Sequence, residues 1–204
     1  MKKFFISLAL LLALASTALN GQEKNYQVSF KYLATSLTFS GFGLSFSYPG
    51  FGLEALTTSP LPFNNAFLNY GLGLTYYTRP EVADEESTFN FRASVPIDLS
   101  LRFPVNEKIA LFPFLGVDPL INLGNKYKGT DEDGDSFTTS MFQVGTHFGV
   151  TTQYDRFLIK LGYYSDLSPY VITDTYTDDY DGSTVTDKEK FTMKGVFFSV
   201  GYSF

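Results

Sequence analysis

Apolar and polar side chains alternate strictly along several stretches of this chain. In 89–103 one set of alternate positions reads Phe89, Phe91, Ala93, Val95, Ile97, Leu99, Leu101 and Phe103. The other reads Asn90, Arg92, Ser94, Pro96, Asp98, Ser100 and Arg102. A period of two predicts a strand with one apolar face. The pattern recurs in 68–77, where Leu68, Tyr70, Leu72, Leu74 and Tyr76 oppose Asn69, Gly71, Gly73, Thr75 and Tyr77. It recurs in 142–154, with Phe142, Val144, Phe148 and Val150 opposing Gln143, Gly145, His147 and Gly149, and again in 157–164. At the end of the chain Val196, Phe198, Val200, Tyr202 and Phe204 oppose Gly195, Phe197, Ser199, Gly201 and Ser203.

Two regions are less regular. Both faces of 109–123 carry bulk, and Pro113 and Pro119 lie inside it. Proline has no N–H to give a ladder, so a bulged or irregular strand is expected there. In 26–56 the alternation is confined to 26–32 and 42–48, which predicts two strands without fixing their ends. Nowhere in these regions do apolar residues recur at three and four, the helical period. The sum is about eight strands of roughly ten residues.

The connections fall into two kinds. "PVNEK" after Phe103 and "DR" after Tyr154 are tight turns, whereas "GNKYKGTDEDGDSFTTS" and "SPYVITDTYTDDYDGSTVTDKEK" are long, polar and acidic. Counted back from the last strand, short turns fall on one side and long loops on the other. That is the layout of an up-and-down barrel that crosses an outer membrane.

The first 21 residues read as a leader. Lys2 and Lys3 precede an apolar run from Phe4 to Ala15, and small residues follow, with cleavage expected after Ala18 or Gly21. The run is shorter than a membrane helix needs. The barrel domain is then 22–204. The chain has no Cys, so it has neither disulfides nor a lipoprotein anchor. Its net charge of −6 speaks against a nucleic-acid partner.

Alternation alone fits two arrangements. A soluble barrel turns its apolar face inward, and a membrane barrel turns it out to lipid. Here the polar faces are mostly Gly, Ser, Thr and Asn with single scattered charges, which suits a narrow interior better than a face in water. Aromatic residues such as Tyr76, Phe89, Phe103, Tyr154 and Tyr202 gather near strand ends, as in interfacial girdles. The expectation is an all-β, closed, antiparallel, up-and-down transmembrane β-barrel in the outer membrane, monomeric, with lipid around it.

The ending, with Phe204 last, Tyr202 two before it and apolar residues at every second position back to Val196, resembles the C-terminal signal of bacterial outer-membrane proteins. That resemblance implies recognition by the barrel-assembly machinery. The mature chain resembles the small outer-membrane β-barrel domain family common in Bacteroidetes, akin to the OmpX and OmpA-barrel type.

Candidate chemistry is sparse. Arg92, Asp98, Arg102, Asp118, His147, Lys160 and Asp166 fall on the polar faces. Isolated buried charges are costly, so these residues are expected to pair in a network that fills the lumen. A charged, water-filled pore is the alternative, which a barrel of this size leaves little room for. Lipid A deacylases resemble this architecture, but use a lipid-facing His with a Ser two positions on; here position 149 is Gly and His147 points to the other side. Asp131, Asp133 and Asp135 sit at alternate positions, as calcium loops begin. The Gly is misplaced and no closing Glu follows, so a solvated acidic loop is the plainer reading. No metal-ligand cluster, phosphate loop or nucleophile elbow is found, and no cofactor is expected. The function expected is non-enzymatic: a structural or surface-interaction barrel, with a narrow channel for ions or small solutes as the alternative and a lipid-modifying enzyme as a third.

Overall fold

A computed structural model of the chain describes residues 25–41, 43–78, 90–123, 128–130, 136–177 and 183–204. The expected leader, Phe42, Phe89 and the Asp131, Asp133 and Asp135 cluster lie outside them. The described strands are β1 (Asn25–Phe39), β2 (Ser45–Ser47), β3 (Gly50–Pro60), β4 (Ala66–Tyr77), β5 (Phe91–Ser94), β6 (Ile97–Leu101), β7 (Phe103–Pro104), β8 (Ile109–Leu123), β9 (Lys128–Thr130), β10 (Ser136–Thr139), β11 (Phe142–Tyr154), β12 (Phe157–Asp166), β13 (Tyr170–Thr177) and β14 (Thr184–Ser203). All belong to one antiparallel sheet.

Eight positions make up the wall, in the order β1, β3, β4, β5 to β7, β8, β11, β12 and β14. β14 then pairs back onto β1, from Gln27 opposite Ser203 to Phe39 opposite Phe191, and the ring is closed. The Phe204 N–H donates to the Tyr26 carbonyl at 2.8 Å, which continues this seam to the last residue. Paired residues run once round the ring from Leu158 through Gly201, Ser29, Glu54, Gly73, Ser94 and Leu120 to Gln143. There the path reaches Ser168, whose carbonyl accepts from Gln143 Nε2 at 2.9 Å, ten residues beyond its start on the same wall position. That stagger is what tilts the strands and sets a narrow bore.

Short turns at 61–65, 105–108 and 155–156 share one rim. Asn65 and Asp155 take positive φ there, of 63° and 53°, as tight turns ask of Asn and Asp. The longer connections share the other rim. On that side β9, β10, β13 and the 184–191 part of β14 pair on beyond the barrel as an extension of its wall.

The connections 124–140 and 168–190, expected as loops, hold β9, β10, β13 and the start of β14. Two further expectations are corrected. β8 runs unbroken over fifteen residues despite its prolines. The interruptions fall in its neighbour: Val95 and Pro96 separate β5 from β6, and Arg102 separates β6 from β7. By register Val95 faces Pro119 and Leu101 faces Pro113. The Val95 N–H still donates to the Pro119 carbonyl at 2.9 Å. Pro96 lies in the first gap itself, and Pro119 and Pro113 have no N–H to give across to it and to Leu101, so the ladder thins while the register holds. The second correction concerns 42–48. Its described part, 43–48, is not a wall strand but contains β2, a short return onto β1; the second wall strand starts at Gly50.

Candidate functional site: the charged lumen

Period two decides which side chains point inward. Lys31 sits between outward Phe30 and Tyr32, and Glu54 between outward Leu53 and Ala55. Asp98, Asp118, His147, Lys160 and Asp166 take the same inward parity on their own strands. They meet in two tiers.

The tier nearer the short turns draws on six wall positions. His147 Nδ1 lies 2.7 Å from Asp118 Oδ2, and Nε2 contacts Asp98 Oδ1. Lys160 Nζ donates to the other Asp98 oxygen at 3.0 Å. Lys31 pairs with Glu54. The two ammonium groups also lie against aromatic rings: Lys160 is 4.4 Å from the Phe114 centroid, and Lys31 is 5.5 Å from that of Phe197. Ring faces attract cations, and the attraction grows away from water. His147 is thus held between two carboxyl groups, one on each ring nitrogen, beside the Lys31–Glu54 and Lys160–Asp98 pairs.

The tier nearer the long loops is built around Arg92. Its guanidinium forks onto Asp166, with Nη1 to Oδ1 at 3.0 Å and Nη2 to Oδ2 at 3.2 Å. Nε donates to Asn122 at 2.9 Å, and Nη2 to Gln143 at 2.7 Å. Tyr164 donates to Asp166 at 2.6 Å, and the Met193 N–H to its Oδ2 at 2.8 Å. A planar fork on a carboxylate, with its remaining donors satisfied, is the geometry that makes a buried ion pair tolerable. Beyond this tier Tyr48, Tyr170, Ile172, Leu37 and Met193 close the bore with an apolar cap.

Below the lower tier lies a lumen cavity of about 50 Å³, lined by Gln27, Glu54, Asn69, Asp98, Thr151 and Lys160 among others. That is space for about one or two water molecules. A much larger concavity, about 940 Å³, lies outside the bore: it follows the wall between the outward rows that include Leu53, Leu74 and Ala93 and Ala55, Leu72 and Val95.

The outer surface is the reverse of the lumen. Leu53, Leu72, Leu115 and Leu161, on four wall strands, are 60–69% exposed, and their neighbours on the outward rows are apolar too. Such a continuous apolar belt around a closed ring has no solvent partner but lipid. The molecule is a transmembrane β-barrel. The Tyr76 and Phe91 rings meet at a tilt, 5.1 Å apart, toward the long-loop rim of this barrel, and Tyr202 contacts Phe157 and Phe204 at 5.4 and 5.1 Å at the other. Both ends of its belt carry amphipathic rings.

Of the residues singled out in the sequence, the barrel brings together Arg92, Asp98, Asp118, His147, Lys160 and Asp166. Arg102 is corrected: it is exposed at the break between β6 and β7, where its N–H donates to the Asn65 carbonyl at 2.7 Å. It has the inward parity but sits at the short-turn rim. Lys31, Glu54, Asn122, Gln143 and Tyr164 were not singled out. Lys31 and Glu54 carried a usable signal, a charge flanked on both sides by residues of an apolar face. Among the described residues no group of His, Cys, Asp or Glu has the arrangement of a metal site.

No family model matches the chain, and no curated protein does. Several solved structures are similar. Outer membrane protein AlkL, solved in DMPC bilayers, is 13% identical, with 90% of this chain and 91% of that one covered and a TM-score of 0.46. Neisserial surface protein A is 15% identical, with 88% and 97% covered and a TM-score of 0.45. A major outer membrane protein from Thermus thermophilus is 12% identical, with 89% and 100% covered and a TM-score of 0.44.

Proposed function

We propose that this barrel is a non-enzymatic resident of the bacterial outer membrane, monomeric, with a closed lumen, presenting its long-loop rim to the exterior as a structural or surface-interaction protein. The observation that carries the reading is the filling of the bore: two charged tiers and an apolar cap stand in series, and the lumen cavity beside them holds about 50 Å³. A stiff packed interior suits a protein that holds a surface in place rather than one that passes solutes. His147 supports the non-enzymatic part. It is 4% exposed, points away from lipid and is held on both nitrogens. The outward column Val196, Phe198, Val200, Tyr202 and Phe204, on the strand that closes the ring, is suited to recognition by the barrel-assembly machinery. Planar-bilayer recording tests the closed lumen. The expected trace is flat at moderate voltage, and reproducible single-channel steps would replace this reading with the narrow channel.

A further inference from the structure

We infer that the outward face of β14, just past the lipid belt on the long-loop side, docks the net-anionic, phosphate-bearing headgroup of a lipid; the inference rests on the membrane-spanning reading above. The strand alternates charge in "TDKEKFTMK". Period two separates the signs: Lys188, Lys190, Thr192 and Lys194 share one face, and Asp187, Glu189, Phe191 and Met193 the other. Met193 is fully buried toward the lumen while Val196, Phe198 and Val200 are 44–52% exposed to the outside, which fixes which face is which. The lysines therefore continue the lipid-facing column, with no acidic residue in it.

The change from Val196 to Lys194 is abrupt and marks the edge of the belt. Lys194 is paired in register with Ser36 on β1 and Ser165 on β12, and Thr192 with Thr38, so hydroxyl-bearing residues flank the ammonium group. Lys190 and Lys188 lie opposite Val171 and Thr173, again without an acid. All three lysines are exposed, and among the described residues none of them makes an ion pair. In a chain of net charge −6 this is a local concentration of cations. A lipid whose acyl chains lie along Val200, Phe198 and Val196 brings its headgroup to Lys194. Phosphate there meets a column of point charges whose apolar stems lie along the wall. A zwitterionic or sugar-only headgroup offers the lysines no net negative partner.

The test uses the full-length protein in dodecyl maltoside and native mass spectrometry with bisphosphorylated lipid A, with dephosphorylated lipid A in parallel. A K188Q/K190Q/K194Q variant is compared with a K188R/K190R/K194R variant, both required to keep the unboiled gel mobility of the folded barrel. The expected result is that the glutamine variant binds lipid A about tenfold more weakly at low salt, while the arginine variant binds like the parent. Equal binding by the folded glutamine variant overturns the inference, as does equal binding of the dephosphorylated lipid. Displacement by millimolar inorganic phosphate would make this a site for the free anion and also overturn it. Recovery of folded protein in the soluble fraction without detergent would overturn the membrane reading, and the lysine column's role with it.

Discussion

Gly116 shows how little room the lumen leaves. A Cβ at this position would meet Asp98 Oδ1 and His147 Nε2, the two atoms in contact across the lower tier. Gly116→Ala is expected to push them apart and cost about 1–3 kcal/mol, seen as a lower temperature for loss of the unboiled gel form. Lys31 and Glu54 test the tier from its other side. Lys31→Met leaves Glu54 buried and uncompensated, at a cost of about 3–5 kcal/mol in urea unfolding. The Lys31→Met, Glu54→Leu double variant is expected to regain most of that, because a buried pair replaced by apolar groups of similar size is close to neutral. If the double variant were as unstable as the single, the loss would come from packing instead. Parity made the inward position of most charged residues legible in the sequence. The pairing was not, because it depends on which rows the stagger brings level across the bore: Arg92 meets Asp166 from 74 residues away. Arg102 has the same parity as Asp98 and lies at the rim only because of its height along the strand.

At the scale of elements, the alternation located the wall strands well wherever one face was uninterrupted, as in β4, β11, β12 and β14. Within the wall it misled in two places, for different reasons. Pro113 and Pro119 were read as damage to their own strand, which runs unbroken; the gaps lie in the strand they face, which has a proline of its own at Pro96. The alternation in 42–48 was real but belonged to the return that seats Tyr48 in the apolar cap, and period two does not say which sheet position a strand takes. The extension past the barrel makes its own prediction. Asp174 and Asp187 stand directly opposite each other on β13 and β14. Burial first, and then these two carboxylates, hold the Glu189 carboxyl above its usual value. A carboxyl raised on folding stabilises the folded form at low pH, and the contribution is lost as pH rises through the raised value. Glu189→Gln is therefore expected to slow proteolysis of 170–191 at neutral pH and to leave it unchanged at pH 4. Equal cleavage of parent and variant at both pH values would contradict this.

The molecule as a whole is held by two systems that face opposite solvents. Outside, an apolar belt makes lipid the only low-energy surrounding; inside, Arg92, Lys31 and Lys160 pair with Asp166, Glu54 and Asp98 within a narrow bore, and His147 lies between Asp98 and Asp118. Heating a folded sample in mild detergent is expected to give one cooperative change in gel mobility, with no intermediate band, because the tiers draw on the same strands the belt does. A partly opened species would show that the outer extension and the barrel melt separately.

The seam between β1 and β14 has a consequence for the time course of folding. Residues joined there, such as Gln27 and Ser203, are about 175 positions apart, and drawing such a loop shut costs about 4–5 kcal/mol of chain entropy before any bond is made. The neighbouring hairpins close over far shorter distances. They are therefore free to form early, while the ring must wait for the final strand. Until then two unpaired edges and a half-built apolar wall stand open together. For a chain of this design, the dangerous interval is the one before its ends meet, and the contact from Phe204 to Tyr26 is the point at which that interval is over.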